Sequence, residues 1–539
     1  MVDSPRYDAV IVGAGFGGLY ALHKMRSMGL RCRVLERAGG VGGTWYWNRY
    51  PGARCDVHSI DYSYSFDADL QREWRWKERY APQAEILAYL DHVADRFDLR
   101  RDIQLDTEVT AATWDESTGC WTVSATTDRG QAAQSFTTRF LITAVGCLSE
   151  PTVPNIDGID RFAGRVLHTG TWPHEPVDFT GQRVGVIGTG SSGIQIIPMI
   201  AEVADHLYVF QRTPNFSIPA RNTALDDQTF EQAVDTYTER REQARASFAG
   251  YPEEPPASAT FDVDEATRRA EYERRWAEGG TWFLSTYTDL LLDLDANETA
   301  ASFVRERISE IVDDPETAER LQPTDYPIGA KRICLDTNYF ATYNRPNVTL
   351  VDLRTTPLHE VESAGVRTTE QIYALDTLVL ATGFDAVTGA LLKLNITGVD
   401  GLRLADAWAD GARTYLGIMT HGFPNLFMLT GPQSPSVRAN VVMAIEQHVD
   451  WVADCLTYLD HHGLSRIEAS EAGQNEWVEH ANRLADSTLL DHADSWYLGA
   501  NIPGKPRVVL PYMGGLARYG KKIAAAAADG YRGFELSAE

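Results

Sequence analysis

Short, continuous apolar runs break up this chain, and two of them lead directly into glycine-rich turns. Residues 7–12, Tyr-Asp-Ala-Val-Ile-Val, have the pattern of a strand buried on both faces. Gly13-Ala-Gly15-Phe-Gly-Gly18 follows at once, residues 19–28 have helical spacing, Gly29 ends them, and residues 31–35 predict a strand that closes on Glu36. The same unit recurs downstream as an apolar strand at 183–187, Gly188-Thr-Gly190-Ser-Ser-Gly193, a helix over 194–204 and a strand over 207–210. Between the two units, 83–97 predicts an amphipathic helix. Alternation at 103–112, 121–126 and 135–138 predicts a small antiparallel sheet, and 140–146 a return to the parallel sheet. Residues 226–321, charged and rich in Glu, Arg and Ala, predict helices with a solvated face, interrupted by a loop at 252–256. A strand within 376–385 ends in Ala-Thr-Gly383, and 524–528 predict a final helix. The fold class is α/β, with two Rossmann-like dinucleotide-binding domains.

The two glycine loops ask for different nucleotides. In each, glycines let backbone N–H groups approach a pyrophosphate at a helix N-terminus. In the first, Gly13, Gly15 and Gly18 are followed at the expected distance by Glu36, an acceptor for a ribose 2′-hydroxyl that would repel a phosphate there. FAD or NAD therefore fits the first loop. In the second, Gly188, Thr189, Gly190, Ser191, Ser192 and Gly193, with Gln195 in the following helix, lead to Gln211-Arg212-Thr213 where the first loop has its acid. An arginine accepts a 2′-phosphate through charge-assisted hydrogen bonds, so NADPH fits the second loop.

Length and charge narrow the class. At 539 residues the chain exceeds one core. Its 75 acidic against 49 basic residues, net −26, argue against nucleic acid. No segment reads as a membrane span or signal peptide. The six cysteines, at 32, 55, 120, 147, 334 and 455, include no Cys-x-x-Cys, which removes a dithiol oxidoreductase and a zinc ribbon. A cytoplasmic enzyme, monomeric and without bound metal, is expected.

Residues 162–173 contain Phe162-x-Gly164-x-x-x-His168-x-x-x-Trp172-Pro173, the fingerprint of type I Baeyer–Villiger flavin monooxygenases, and the chain resembles that family from end to end, most of all its phenylacetone and steroid monooxygenase branch. The resemblance implies FAD on the first loop, NADPH on the second, and oxidation of an aryl, cyclic or steroid-like ketone by O2 to an ester or lactone through a flavin C4a-peroxide. It implies that Gly43, Thr44 and Trp45 lie along the flavin, that Tyr62 touches it, and that Asp56 sits near its reacting face. It makes Arg332 the catalytic arginine, paired with Asp56, and puts Lys331 beside the NADPH phosphate. A guanidinium suits this chemistry because it stabilises developing negative charge without reorganising. Trp496 is implied to close over the nicotinamide ribose, and Ser434, Arg438 and Val441 to border the ketone pocket; Arg438 and Val441 depart from the family's pattern. The implied organisation is an FAD domain over 1–146 and 386–539, an NADPH domain over 147–220 and 331–385, and a helical insertion in the second domain over 221–330. Three other readings share the two loops: an oxygenase acting on nitrogen or sulfur, an NADPH oxidase releasing peroxide, and a non-catalytic flavin sensor.

Overall fold

The computed structural model describes residues 6–538 apart from 128, 129, 131 and 253, so Glu253 of the 252–256 loop lies outside the described residues. Strand Arg6–Val12 lies inside an eight-stranded sheet, parallel to Cys32–Leu35 on one side and to Ala132–Thr143 on the other. Ala9, Val10 and Ile11 are fully buried, because helices and loops cover both faces of this parallel region. The following helix, Phe16–Ser27, begins earlier than its apolar spacing suggests. Its first turn recruits Gly17 and Gly18, poor helix formers that contribute no pattern.

The alternating stretches do not make a sheet of their own. Ala132–Thr143 is one strand of 12 residues, roughly 40 Å long at about 3.3 Å per residue. Its first half pairs antiparallel with Cys120–Thr127, which pairs with Thr107–Asp115. Its second half runs parallel to Arg6–Val12 and Leu426–Met428. One strand thus joins the meander to the nucleotide-binding sheet, and the polar centre Thr137-Thr138-Arg139 is what made it read as two.

The second sheet is five-stranded and wholly parallel, in the order Val348–Asp352, His206–Gln211, Arg183–Ile187, Thr377–Leu380, Arg165–His168. The fingerprint stretch is its edge strand, with His168 in register with Leu380. The two sheets repeat one close approach. Gly13 (φ 103°) lies so near the end of its neighbouring strand that a Cβ there would come 2.6 Å from the Ala144 carbonyl oxygen; at Gly188 (φ 108°) the distance to the Ala381 oxygen would be 2.4 Å. Both loops need glycine for the turn and for lack of room.

Helices Val441–His461 and Leu516–Ala528 pack back on the first unit, where Val442, Ile445, Val449 and Ile523 share a core with Leu19 and Leu22. The charged segment divides. Ala300, Val304 and Ile308 of helix Leu294–Ile311 join the core of the second sheet, but Ala233 and Tyr237, in helices Asp227–Asp235 and Tyr237–Ala246, join the core of the first. The latter helix carries a latch. Arg240 donates to both oxygens of the buried Asp61 carboxylate at 2.7 and 2.5 Å, and buried Arg241 donates to the Ile60 and Asp61 carbonyls and to Ser63 Oγ. These contacts hold the backbone on either side of Tyr62. Among the described residues no helix is long and apolar enough to cross a membrane.

Removing the arginine of this latch strands a carboxylate in the interior. Arg240→Ala is expected to cost about 3 kcal/mol, read as a lowered thermal unfolding midpoint, whereas Arg245→Ala on the same helix should shift it little.

Candidate active site

The two glycine loops open onto one cavity of about 1530 Å³, larger than the roughly 300–1,000 Å³ of a pocket for a single small ligand. Gly13, Gly15, Gly43, Thr44, Trp45, Tyr62, Gly188, Thr189, Gly190, Ser191 and Ser192 all line it. Gly15 and Gly43 stand face to face: a Cβ on Gly15 would lie 3.3 Å from Gly43 Cα. Gly18 and Gly193 do not line the cavity. A Cβ on either would strike the carbonyl oxygen of the loop's first glycine, at 1.8 and 2.2 Å, so they serve the packing of helix on strand.

The nucleotide-reading ends differ as their charges require. Glu36 is buried, and its two oxygens accept from Ala14 N–H at 2.6 Å and Ala38 N–H at 2.8 Å. Burial pushes its carboxyl pKa up, against the pull of those amides. Each oxygen retains a lone pair for a ribose hydroxyl, and a phosphate would meet a carboxylate. At the second loop Arg212, Thr213 and Lys331 line the cavity. The Lys331 ammonium lies 4.5 Å from the centre of the Tyr326 ring. Its pKa is lowered by burial first and then by the Arg212 charge, so two cations converge on one place. A dianionic phosphate relieves that repulsion, and an unphosphorylated ribose does not. The donor sets thus fit FAD at the first loop and NADPH at the second.

Arg332 reaches the cavity from the end of the second domain. Its Nε and Nη2 donate to Asp56 Oδ2 at 2.9 and 2.6 Å, and Nη1 donates to the Val437 carbonyl at 2.6 Å. Burial opposes the charge on Arg332, but Asp56 and Tyr497 together outweigh it and raise the guanidinium pKa further. The side chains of Arg332 and Asp56 keep 27% and 23% of their exposure, and both residues line the cavity. Strand Cys334–Asp336 starts just beyond Arg332, and Ser191 Oγ sits 3.3 Å from Cys334 Sγ, tying the arginine's segment to the second loop.

The Val437 carbonyl comes from a strained loop. Thr430, Gln433 and Ser436 have φ of 52°, 65° and 30°, left-handed conformations that cost on the order of 1–3 kcal/mol each. A buried relay supports them. Thr430 N–H donates to His448 Nδ1 at 3.0 Å, which puts the ring proton on Nε2, facing Tyr519 Oη at 2.6 Å; Tyr519 donates to the Leu416 carbonyl. Burial lowers the His448 pKa to about 4, so the ring is neutral.

Of the three residues expected at the ketone pocket, Val441 lines the cavity and the other two do not. Ser434 is fully buried and donates to the Gly431 carbonyl, and the Arg438 guanidinium lies over the Tyr497 ring, 5.6 Å from its centre. Val437, Ala439, Ile445 and Val57, none of them singled out from sequence, line the cavity instead. Trp496 lines it too. Gln195 both lines the cavity and bridges the domains: it accepts from Tyr50 Oη at 2.8 Å and donates to the Arg54 carbonyl at 3.1 Å.

The fingerprint residues stand behind the cavity. His168 Nδ1 accepts from Gly170 N–H at 2.9 Å, which leaves Nε2 to donate, 3.2 Å from both the Thr152 carbonyl and Thr382 Oγ1. Those two partners belong to the two segments that connect the sheets, so one imidazole braces both crossings. Trp172 is buried against Phe179 and Tyr50, and its backbone N–H donates to the Trp47 carbonyl. Phe162 packs at the edge of the second sheet, and a Cβ on Gly164 would come 2.4 Å from the Asp376 oxygen.

Two nucleotide loops of opposite charge preference facing one cavity, with a pinned arginine between them, define a pyridine-nucleotide-dependent flavoprotein. Residues 7–222 match the flavin-binding monooxygenase-like family model. The chain is 42% identical to a Baeyer–Villiger monooxygenase of Pseudooceanicola batsensis, over 97% of this chain and 95% of that protein. It is 40% identical to an acetone monooxygenase (methyl acetate-forming) of Gordonia sp., over 98% and 99%. The solved structure of an oxidised steroid monooxygenase bound to NADP superposes with a TM-score of 0.94 at 54% identity, covering 99% of this chain and 100% of that one. The chain belongs to the Baeyer–Villiger monooxygenases, enzymes that use FAD and NADPH.

Arg212→Ala removes one of the two converging cations. NADPH binding should weaken by about 1.5–3 kcal/mol, the worth of a hydrogen bond to a charged group, while NADH binding is unchanged; titration of the FAD-loaded protein with each nucleotide reads the difference.

Proposed function

We propose that this enzyme converts a bulky, apolar ketone of the aryl, cyclic or steroid type to an ester or lactone, and that Arg332, held by Asp56 and the Val437 carbonyl, is its catalytic cation. The observation that carries this reading is the guanidinium at the cavity wall, fixed by three hydrogen bonds. FAD, once reduced by NADPH, supplies the activation of O2. The protein's part is electrostatic. Attack on a carbonyl develops negative charge on oxygen, and a cation already in place stabilises that charge with little reorganisation. Attack by a nitrogen or sulfur lone pair creates no alkoxide, so a pinned arginine favours a ketone over those atoms. Asp56 Oδ2 accepts two of those three bonds, which makes Asp56 a positioning residue for the guanidinium.

The remaining parts have supporting roles. Lys331 and Arg212 hold the NADPH phosphate. Trp496 covers the nicotinamide end and excludes water. His168 transmits nucleotide binding to the two crossings. Val57, Val437, Ala439, Val441 and Ile445 add apolar surface to the cavity wall, which supports a hydrocarbon-rich ketone. All six cysteines are buried free thiols, which supports a reducing cytoplasm.

Arg332→Ala should leave reduction of the flavin by NADPH within about threefold and lower ester formation by a factor on the order of 10²–10³. Anaerobic single-turnover reduction and product mass after aeration separate the two half-reactions. Ester formation near the parent rate would assign the charge to another group.

A further inference from the structure

Val437, Ala439, Val441 and Ile445 line the cavity from one stretch of chain, the end of the strained loop and the first turns of helix Val441–His461. Asn440 sits among them, fully buried, and all four of its polar groups are bonded. Two bonds stay in the stretch: Oδ1 caps the helix by accepting from Val442 N–H at 3.1 Å, and the backbone carbonyl accepts from Ala444 N–H at 3.2 Å. The other two leave it. Asn440 N–H donates to the Ala249 carbonyl and Nδ2 to the Asp61 carbonyl, both at 2.7 Å. The cap and the Asp61 bond together fix the amide's orientation, because a flip would set oxygen against oxygen and N–H against N–H.

Both receiving carbonyls are themselves held. Asp61 precedes Tyr62, which lines the cavity. Its carbonyl also accepts from Arg241, and its carboxylate is bound by Arg240. Two donors occupy both lone pairs of that carbonyl. Ala249 follows helix Tyr237–Ala246, in a stretch where the Phe248 and Ser247 carbonyls accept from Leu516 and Ala517 N–H at 2.8 and 3.2 Å. Ala439 packs on the small core that Ala244 and Leu516 share. The fit is close: a Cβ on Gly250 would come 3.2 Å from Asn440 Cβ. The first half of the charged segment therefore stands directly behind the apolar part of the cavity wall.

We infer that Asn440 is a positioning residue for the ketone: it fixes the wall at Ala439 and Val441 against the Tyr62 segment on one side and the 247–250 stretch on the other, and so sets the room the ketone has. It acts through those two neighbours and touches no ligand itself. This rests on the proposed ketone oxidation and assigns part of its substrate selection to the charged segment behind the wall.

Asn440→Ser separates this role from helix capping, because serine caps about as well as asparagine but has no amide to donate to Asp61. The FAD-loaded enzyme is assayed under saturating NADPH with whichever of cyclohexanone, phenylacetone and progesterone the parent oxidises fastest. KM for the ketone should rise about tenfold, as expected where a buried carbonyl loses a donor, with kcat within about threefold and anaerobic flavin reduction by NADPH within about twofold of the parent. KM does not depend on how much of the protein is folded, so a loss of stability alone leaves it in place. Asn440→Asp, which also caps and has the same shape, should raise KM at least as much, because an oxygen then faces the Asp61 carbonyl. KM within about twofold of the parent in both variants overturns the inference. Lower kcat at unchanged KM overturns it in favour of support for Arg332, and slower flavin reduction in favour of the nucleotide side. Failure of both variants to accumulate with FAD bound overturns it in favour of a folding role. A parent that oxidises none of the three ketones contradicts the ketone oxidation itself.

Discussion

A guanidinium carried by one nucleotide domain is held by a carboxylate and a carbonyl carried by the other. Arg332 follows the segment that closes the second core, Asp56 follows the glycine-tryptophan stretch beside the first loop, and the Val437 carbonyl comes from a C-terminal loop of the first domain. Withdrawing an ion pair from water carries a desolvation cost, and breaking one partner leaves the other uncompensated. The pair is therefore a poor source of stability and a strong constraint on geometry: while it is intact, the two domains stay in register across the cavity.

Much of the surrounding structure keeps that register. The strained residues at 430, 433 and 436 present the Val437 carbonyl, and the neutral His448 relay holds the start of their loop. Gln195, on the second domain's nucleotide helix, bonds Tyr50 and Arg54 on either side of Gly52, where a Cβ would come 2.4 Å from the Gln195 oxygen. His168 ties the two crossings together, and Arg240 and Arg241 reach back to the backbone around Tyr62. The two nucleotide loops repeat the same strand-end contact but end in opposite charge, Glu36 at the first and Arg212 with Lys331 at the second.

What could be read in the sequence was what is local in it. Glycines, a strand, a helix and a charged residue at a fixed distance specify each loop, and both were legible. The pairing of Ala132–Thr143 was not, because alternation reports which face is buried but not which partner lies alongside, and polar residues at 137–139 hide a strand serving two neighbours. The second half of the charged segment packs on the core of the second sheet, and its first half packs on that of the first through Ala233 and Tyr237, two apolar residues in a charged stretch too sparse to announce it. At the substrate side, resemblance led to Ser434 and Arg438, whose side chains turn away, while Val437 and Ala439 line the wall. Side-chain direction in an irregular, left-handed loop has no period to read. The Val437 carbonyl left no trace in the sequence either, since a backbone acceptor has no side-chain identity.

The central claim is that a permanent cation is delivered from the second domain and held at the wall of the shared cavity while both nucleotides are bound. A crystal structure with FAD and NADP⁺ in place measures this directly. The account predicts the Arg332 guanidinium inside the cavity, between the flavin and the nicotinamide and still bonded to Asp56. A guanidinium turned out to bulk solvent, with Asp56 unpaired and no cation in its place, would contradict it.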